Sequence, residues 1–367
     1  MFDKVKGRLG LGCMRLQMIE DEVDKAEFCR MIDMFIEEGF NYFDTAHTYI
    51  DGKSELVIRD CLTSRHPRES YVLADKLSYW CFEKEEDILP LFEKQLERCG
   101  VEYFDFYLFH CINHESYEKH KKCNSFEIVK KLKEEGKIKH IAMSFHDTAD
   151  FLDMVLTEQP YMEAVQLQIN YLDYDDPTVQ SKACYDVAVK HGKKVIVMEP
   201  VKGGALANLP REAAEELSKL GEGSAASHAL RFVASHPEVF MVLSGMGNVE
   251  MINDNMNTFK KFVPIKESDM EIFEKVCDII RKTKLIPCTK CNYCADVCPS
   301  DVPISEAFGI FNELALAKIS RDEMKEKFAA YREKLAACIK CGKCESNCPQ
   351  SIDIRERLSK IEKIIND

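Results

Sequence analysis

Eight short apolar runs punctuate the first three quarters of the chain, at 8–14, 40–46, 71–77, 104–110, 138–145, 164–170, 194–200 and 239–246. Most are almost continuously hydrophobic, as in YVLADKL and FDFYLFH, a pattern that predicts strands buried on both faces. Longer charged stretches with apolar residues at helical spacing lie between them. SFEIVKKLKEEGK is one, and it ends on Gly136 as a helix C-cap does. Eight alternating strand and helix units predict an α/β fold, the (β/α)8 TIM barrel. A doubly wound open sheet shares this alternation, since counting strands does not show closure. No G-x-G-x-x-G follows the first run, however. A last helix is predicted over 268–283. Beyond it, SEAFGIFNELALAKIS and KFAAYREKLAA have helical spacing. The expected division is therefore a barrel over 1–283 and a small α-helical domain over 284–367.

With 367 residues, 46% of them hydrophobic, the chain can bury one large core and an appendage. A net charge of −13 argues against nucleic acid and anionic membrane as partners. The start, MFDKVKGRLG, has no apolar signal region and no apolar run approaches a membrane span, so a cytoplasmic protein is expected.

Seventeen cysteines change the picture, because eight of them form one pattern twice. Cys288, Cys291, Cys294 and Cys298 precede Pro299; Cys338, Cys341, Cys344 and Cys348 precede Pro349. Each run reads C-x2-C-x2-C-x3-C-P, the bacterial ferredoxin run for a pair of [4Fe–4S] clusters, whose fourth cysteine serves the other cluster. One cluster should take Cys288, Cys291, Cys294 and Cys348, the other Cys338, Cys341, Cys344 and Cys298. Zinc uses C-x2-C pairs too, but leaves the third cysteine of each run unexplained. About forty residues separate the runs, more than a minimal ferredoxin needs, hence the expectation of an α-helical ferredoxin-like domain.

Ionisable residues close three consecutive predicted strands: Asp44, Lys76 and His110, with Tyr49 in the loop after Asp44. Singly, each has a structural reading, such as a helix-capping Asp or a snorkelling Lys. Together at one barrel mouth they make a proton donor. A phenol titrates near 10, a neighbouring ammonium should lower that value, an Asp holds the ammonium, and a His can bond the substrate oxygen.

Here the chain resembles the aldo-keto reductase family. DTAHTY (44–49), ADK (74–76), YLFH (107–110) and MSFH (143–146) carry the match, which VQLQIN, MEPVKGG and SGMGNVEMINDN extend to about residue 260. The resemblance implies a catalytic tetrad of Asp44, Tyr49, Lys76 and His110, with Tyr49 as general acid reducing a small-molecule carbonyl. It implies NADPH or NADH as hydride source, with Ser144 and Gln166 on the carboxamide. Met198, Pro200, Gly203, Gly204, Gly245, Gly247, Asn248, Asp254 and Asn255 complete the implied cofactor contacts. The whole chain looks like the subgroup fused to a C-terminal ferredoxin-like domain, which makes a ferredoxin or another redox protein a candidate partner.

Three departures from the family pattern involve four positions. Phe145 stands where Asn is usual, Met198 replaces the stacking aromatic, and Gly245 and Met251 occupy positions of 2′-phosphate-binding cations. Glu250, in the first turn of the following helix, would repel that phosphate. No strong preference for NADPH is expected. Cys111, His114, His120 and Cys123 could suit zinc, but a solvated substrate loop is the expected reading. Trp80 lines the substrate pocket or packs on its rim. The alternative to a carbonyl reductase is an electron-transfer protein whose barrel binds flavin, because hydride brings two electrons and a cluster accepts one. The complete tetrad favours the reductase.

Overall fold

The structure, a computed structural model, describes residues 2–283, 285–316 and 318–366. Among the described residues ten strands form: β1 (Leu9–Gly12), β2 (Met18–Ile19), β3 (Glu22–Val23), β4 (Tyr42–Asp44), β5 (Val72–Ser78), β6 (Phe104–Ile112), β7 (Ile138–Phe145), β8 (Ala164–Gln168), β9 (Lys194–Met198) and β10 (Val239–Ser244). The two-residue strands β2 and β3 make a small antiparallel hairpin that the apolar pattern does not announce. The other eight close a parallel barrel in the order β1-β10-β9-β8-β7-β6-β5-β4, with β4 returning to β1 through the Gly10–Tyr42 pairing. The closed barrel is therefore the fold, and the open sheet is not.

Strand periodicity of two explains both the continuous hydrophobicity and the site. Tyr42, Val72, Ala74, Phe106, Leu108, Ala142, Ala164, Ile196, Met241 and Leu243 form one cluster inside the barrel. Gly10 belongs to this layer, where a Cβ would lie 2.7 Å from Leu243 Cδ2 and 2.9 Å from Met241 Sδ; glycine leaves room for those side chains. Residues of opposite parity, such as Phe43, Leu73, Tyr107, Ile141, Val165 and Val195, are equally buried. Two residues further along each strand, the interior positions are Gly12, Asp44, Lys76, His110, Ser144, Gln166, Met198 and Gly245. Each of the eight barrel strands thus supplies one position at its C-terminal end or, for Gly245, just past it, the face where barrels of this kind carry their chemistry.

The chain forms two compact units, Met1–Pro200 with Ala226–Ile265, and Val201–Ala225 with Lys266–Asp367. This division differs from the expected boundary at 283/284. The predicted last helix, Met270–Lys282, packs with the helix Arg211–Leu217 in the second unit, burying Phe273, Val276, Ala213 and Leu217. Lys284, where the second domain was expected to begin, and Ala317, within an expected helical stretch, lie outside the described residues. Helices Ile304–Ala315, Arg321–Ala329, Arg332–Ala336 and Ile354–Asn366 surround a core that includes Phe308, Met324, Phe328, Ile354 and Ile361. Among the described residues no helix is long and apolar enough to cross a membrane.

Candidate functional site

The tetrad expected from the sequence comes together at the barrel mouth. Lys76 Nζ donates to Asp44 Oδ1 at 2.6 Å and to the Thr45 carbonyl at 2.7 Å, with both side chains almost fully buried. It stands 4.7 Å from the centre of the Tyr49 ring. The Tyr49 and His110 rings meet edge to face at 5.9 Å. Burial pushes the Lys76 ammonium down, but Asp44 and Tyr49 more than offset this and hold it charged, above the usual lysine range. Burial raises the Asp44 carboxyl, while Lys76 pulls it back.

One expectation needs correction. Burial raises the Tyr49 phenol above its ordinary value by more than the Lys76 ammonium lowers it, and Asp44 adds to the rise. The lysine limits the rise and does not bring the phenol below 10. A raised value keeps the phenol protonated at neutral pH, the state a general acid requires.

His110 is buried and neutral: burial, followed by the Lys76 charge, drives it well below the ordinary imidazole value. Its Nδ1 shares a 2.7 Å hydrogen bond with Ser78 Oγ. Ser78 escaped the sequence reading, yet it lies two residues past Lys76 on β5 and shares its inward parity. Trp80 lines this side of the mouth, its ring 4.9 Å from that of His110.

The expected carboxamide ligands sit side by side, since Ser144 and Gln166 are paired in register between β7 and β8. Ser144 Oγ accepts the Cys111 N–H at 2.8 Å. Gln166 Oε1 is buried and has no partner among the described residues, an acceptor suited to an amide N–H. Met198 ends β9, and the next residue, Glu199, adopts a left-handed backbone with φ 55°. Glu199 pairs with Arg15 at 2.7 Å, and the Arg15 stem would touch a Cβ at Gly245 at 3.5 Å. This ion pair was not foreseen.

The implied cofactor contacts after β10 are partly taken. Asn248 caps the helix Val249–Lys260 by accepting the Met251 N–H at 2.9 Å, and the Gly247 N–H lies 3.5 Å from Met251 Sδ. Val249 N–H donates to Glu27 Oε1 at 2.8 Å, so a carboxylate already stands at this helix N-terminus. Asn255, an implied cofactor contact, donates its amide to Ser244 Oγ at 2.8 Å, while Asp254 is half-buried on the same helix. Pro200 closes the barrel unit; Gly203 and Gly204 belong to the other unit.

The weaker constellation is not the solvated loop expected. Residues His114–Lys122 form a helix, because Asn113 caps its N-terminus and Tyr117 and His120 face inward. His120 packs against Phe82, Phe109 and Phe126, where burial pushes it down to about 3. His114 instead bonds Asp147 at 2.7 Å and stacks on Phe151, so these residues do not converge on a metal.

In the second unit the two cysteine runs adopt one backbone twice, each residue 50 positions from its counterpart (288 and 338, 298 and 348). Left-handed residues recur at matching places: Lys290 and Lys340, Asn292 and Gly342, Asp301 and Ser351. Cys298, Cys338, Cys341 and Cys344 line one open pocket of about 350 Å³. That set is the three-plus-one grouping expected for one cluster, including the exchanged fourth cysteine. Burial raises the Cys294 thiol, and charge on Cys291, Cys288, Cys348 and Cys344 raises it further, so Cys348 of the second run lies close to the first run's cysteines. Backbone N–H groups of Lys290 and Val302 point at Cys288 and Cys298 Sγ at 3.4 and 3.5 Å, as hydrogen bonds to cluster thiolates do.

Comparison with known proteins matches two segments of the chain. The aldo/keto reductase family matches residues 8–278, and a 4Fe-4S dicluster domain matches residues 287–352. The chain is 23% identical over 280 residues to the uncharacterized oxidoreductase YqkF of Bacillus subtilis (strain 168), covering 68% of this chain and 85% of the relative. It is 27% identical over 254 residues to a 9,11-endoperoxide prostaglandin H2 reductase of Trypanosoma cruzi (strain CL Brener), covering 69% and 82%. An aldo-keto reductase of Bacillus halodurans, solved in its holo form, superposes with a TM-score of 0.62 at 22% identity, over 73% of this chain and 91% of that one. One from Klebsiella pneumoniae in complex with NADPH superposes at 0.58 and 19% identity, over 73% and 90%. The structural likenesses bear on the fold.

Proposed function

The chain belongs to the aldo-keto reductase family and carries a 4Fe–4S dicluster domain, and we propose that it reduces a small-molecule carbonyl with Tyr49 as general acid. The observation that carries this reading is the buried Asp44–Lys76 pair beside the Tyr49 ring, at the interior end of adjacent barrel strands. A bound reduced nicotinamide supplies the hydride. Ser144 and the unpartnered Gln166 Oε1 suit its carboxamide and would fix which face points into the mouth. As charge develops on the substrate oxygen, Tyr49 donates its phenolic proton to it. Lys76 stabilises the phenolate left behind, and Asp44 keeps Lys76 charged and aimed. Ser78 donating to His110 Nδ1 would leave Nε2–H to bond the substrate oxygen and orient it.

The chain binds NADH or NADPH without strong preference in this reading. Glu27 and Glu250 flank the helix N-terminus, positions 245 and 251 carry Gly and Met, and Arg15, the cation beside Gly245, is paired with Glu199. Two [4Fe–4S] clusters take the crossed cysteine sets, supported by the pocket that gathers Cys298 with Cys338, Cys341 and Cys344. Functionally, residues 1–283 form the reductase and 284–367 the cluster domain, in a cytoplasmic protein whose thiols stay reduced. The test is anaerobic purification, with metal analysis and aldehyde-dependent oxidation of reduced nicotinamide on para-nitrobenzaldehyde. About eight irons per chain and aldehyde-dependent turnover are expected. Stoichiometric zinc without iron would overturn the cluster reading; a flavin spectrum with no aldehyde reduction would favour the electron-transfer alternative.

A further inference from the structure

The duplication in the second unit makes its two cysteine runs internal controls for each other. Their backbones match, with φ 57° at both Lys290 and Lys340, 47° at Asp301 and 48° at Ser351, so differences in their surroundings are informative. The first run is covered on its Thr289 side. Thr289, between its first two cysteines, is 2% exposed. The segment that opens this unit lies on it: a Cβ at Gly203 would come within 2.4 Å of the Thr289 carbonyl oxygen, and Lys202 Nζ donates to Gln350 Oε1 at 2.9 Å. In the second run the counterpart of Thr289 is Ile339, which is 66% exposed, and Cys341 is the one exposed cysteine among the described residues. An apolar side chain of this size left in water beside an exposed ligand is a contact surface in want of a partner.

Charge indicates the kind of partner. Residues 331–360 carry seven basic and four acidic side chains, while the matching stretch 281–310 carries four and three, in a chain whose net charge is −13. Lys340 and Arg355 line the pocket of the second run. Lys340 and Lys343 are exposed, and Glu345, the one acid close by on this loop, is tied to Arg355 at 2.6 Å. The rim is therefore basic around an apolar centre, the complement of an acidic docking face.

We propose that the cluster held by Cys338, Cys341, Cys344 and Cys298 is the electron port of the protein, docking a small acidic one-electron carrier protein on Ile339, Lys340 and Lys343. The proposal rests on the two-cluster reading above. A [4Fe–4S] cluster held by these cysteines would accept one electron from the reduced carrier, which would be oxidised in turn, with no bond or proton moved. The covered cluster of Cys288, Cys291, Cys294 and Cys348 does not meet the carrier.

The test uses the full-length holoprotein and a purified acidic ferredoxin as probe. Iron content and the electron paramagnetic resonance of both clusters are recorded for every variant. Calorimetry at two ionic strengths gives the affinity, and stopped flow gives the reduction rate by the reduced ferredoxin. Lys340→Glu with Lys343→Glu should weaken docking by about tenfold or more and remove most of its salt dependence. Ile339→Asp should weaken docking with both clusters present. Lys290→Glu, the matching change on the covered run, should leave affinity within about twofold. Unchanged docking in the double variant with both clusters intact would overturn the proposal, as would a loss confined to Lys290→Glu. A wild-type protein without iron would overturn the cluster reading and the proposal with it. Carbonyl reduction with full iron content but no ferredoxin binding would overturn the port alone.

Discussion

Replacing Lys76 with Met should separate catalysis from stability. The ammonium stands 4.7 Å from the Tyr49 ring centre, in a buried site. With an effective dielectric near 20, a unit charge at that distance stabilises the developing phenolate by about 3.5 kcal/mol. Its loss should slow the chemical step by about 400-fold, with little change in dinucleotide affinity. The same change strands Asp44, which is 2% exposed and hydrogen-bonded to Lys76 at 2.6 Å. Breaking a buried pair from one side costs about 3–5 kcal/mol, so the single variant should also melt earlier. Asp44→Asn in the Lys76→Met background removes the stranded charge, and should restore much of the stability and none of the rate. Single-turnover oxidation of bound reduced nicotinamide by para-nitrobenzaldehyde reads the first effect, and thermal unfolding the second. A Lys76→Met rate within tenfold of wild type, or a rate that recovers along with stability in the double variant, would refute the electrostatic role.

The phenol of Tyr49, raised by burial, should stay protonated through neutral pH; the chemical step should be flat from about pH 6 to 9 and fall only above the ordinary phenol value near 10. A rate falling through pH 8 would contradict this. His120 titrates at about 3 when folded and near 6.5 when unfolded, so the unfolded chain binds the extra proton as pH falls. Its contribution is fully present above about 6.5 and at pH 5 should be smaller by about 2 kcal/mol. His120→Phe, among Phe82, Phe109 and Phe126, should flatten the pH dependence of the melting temperature across that window. The ratio of dissociation constants for NADH and NADPH should show less than about a hundredfold preference, and Met251→Arg should move it toward NADPH by about 1.5–3 kcal/mol or less. Gly203→Ala places a Cβ 2.4 Å from the Thr289 carbonyl at φ 62°; it should cost at least about 1–3 kcal/mol and lower iron retention in the second unit, measured by melting and metal analysis.

What the sequence revealed and what it hid divide along a physical line. The barrel was legible because each strand is buried on both faces, so eight apolar runs map onto eight strands. The tetrad was legible because parity carries Asp44, Lys76 and His110 to the interior two residues past Tyr42, Ala74 and Leu108. Ser78 could have been found by continuing that parity. Glu27 at the N-terminus of the helix Val249–Lys260 and Arg15 against Glu199 could not, because each joins positions about 200 residues apart with no local signature. The helix His114–Lys122 was hidden by its charge, its inward face consisting of little more than Tyr117 and His120. The rise in the Tyr49 phenol was missed because burial is a property of the folded neighbourhood. The gathering of Cys298 with Cys338, Cys341 and Cys344 follows the spacing, whereas the cover over Thr289 depends on a glycine 86 positions earlier.

The claim at the centre of this account is that Tyr49 hands the substrate its proton. The most direct measurement is single-turnover carbonyl reduction by anaerobic Tyr49→Phe holoprotein, with dinucleotide affinity determined on the same sample. Reduction should fall by about two to four orders of magnitude while the dissociation constant for the dinucleotide stays within about threefold. Wild-type turnover in Tyr49→Phe would contradict the account outright.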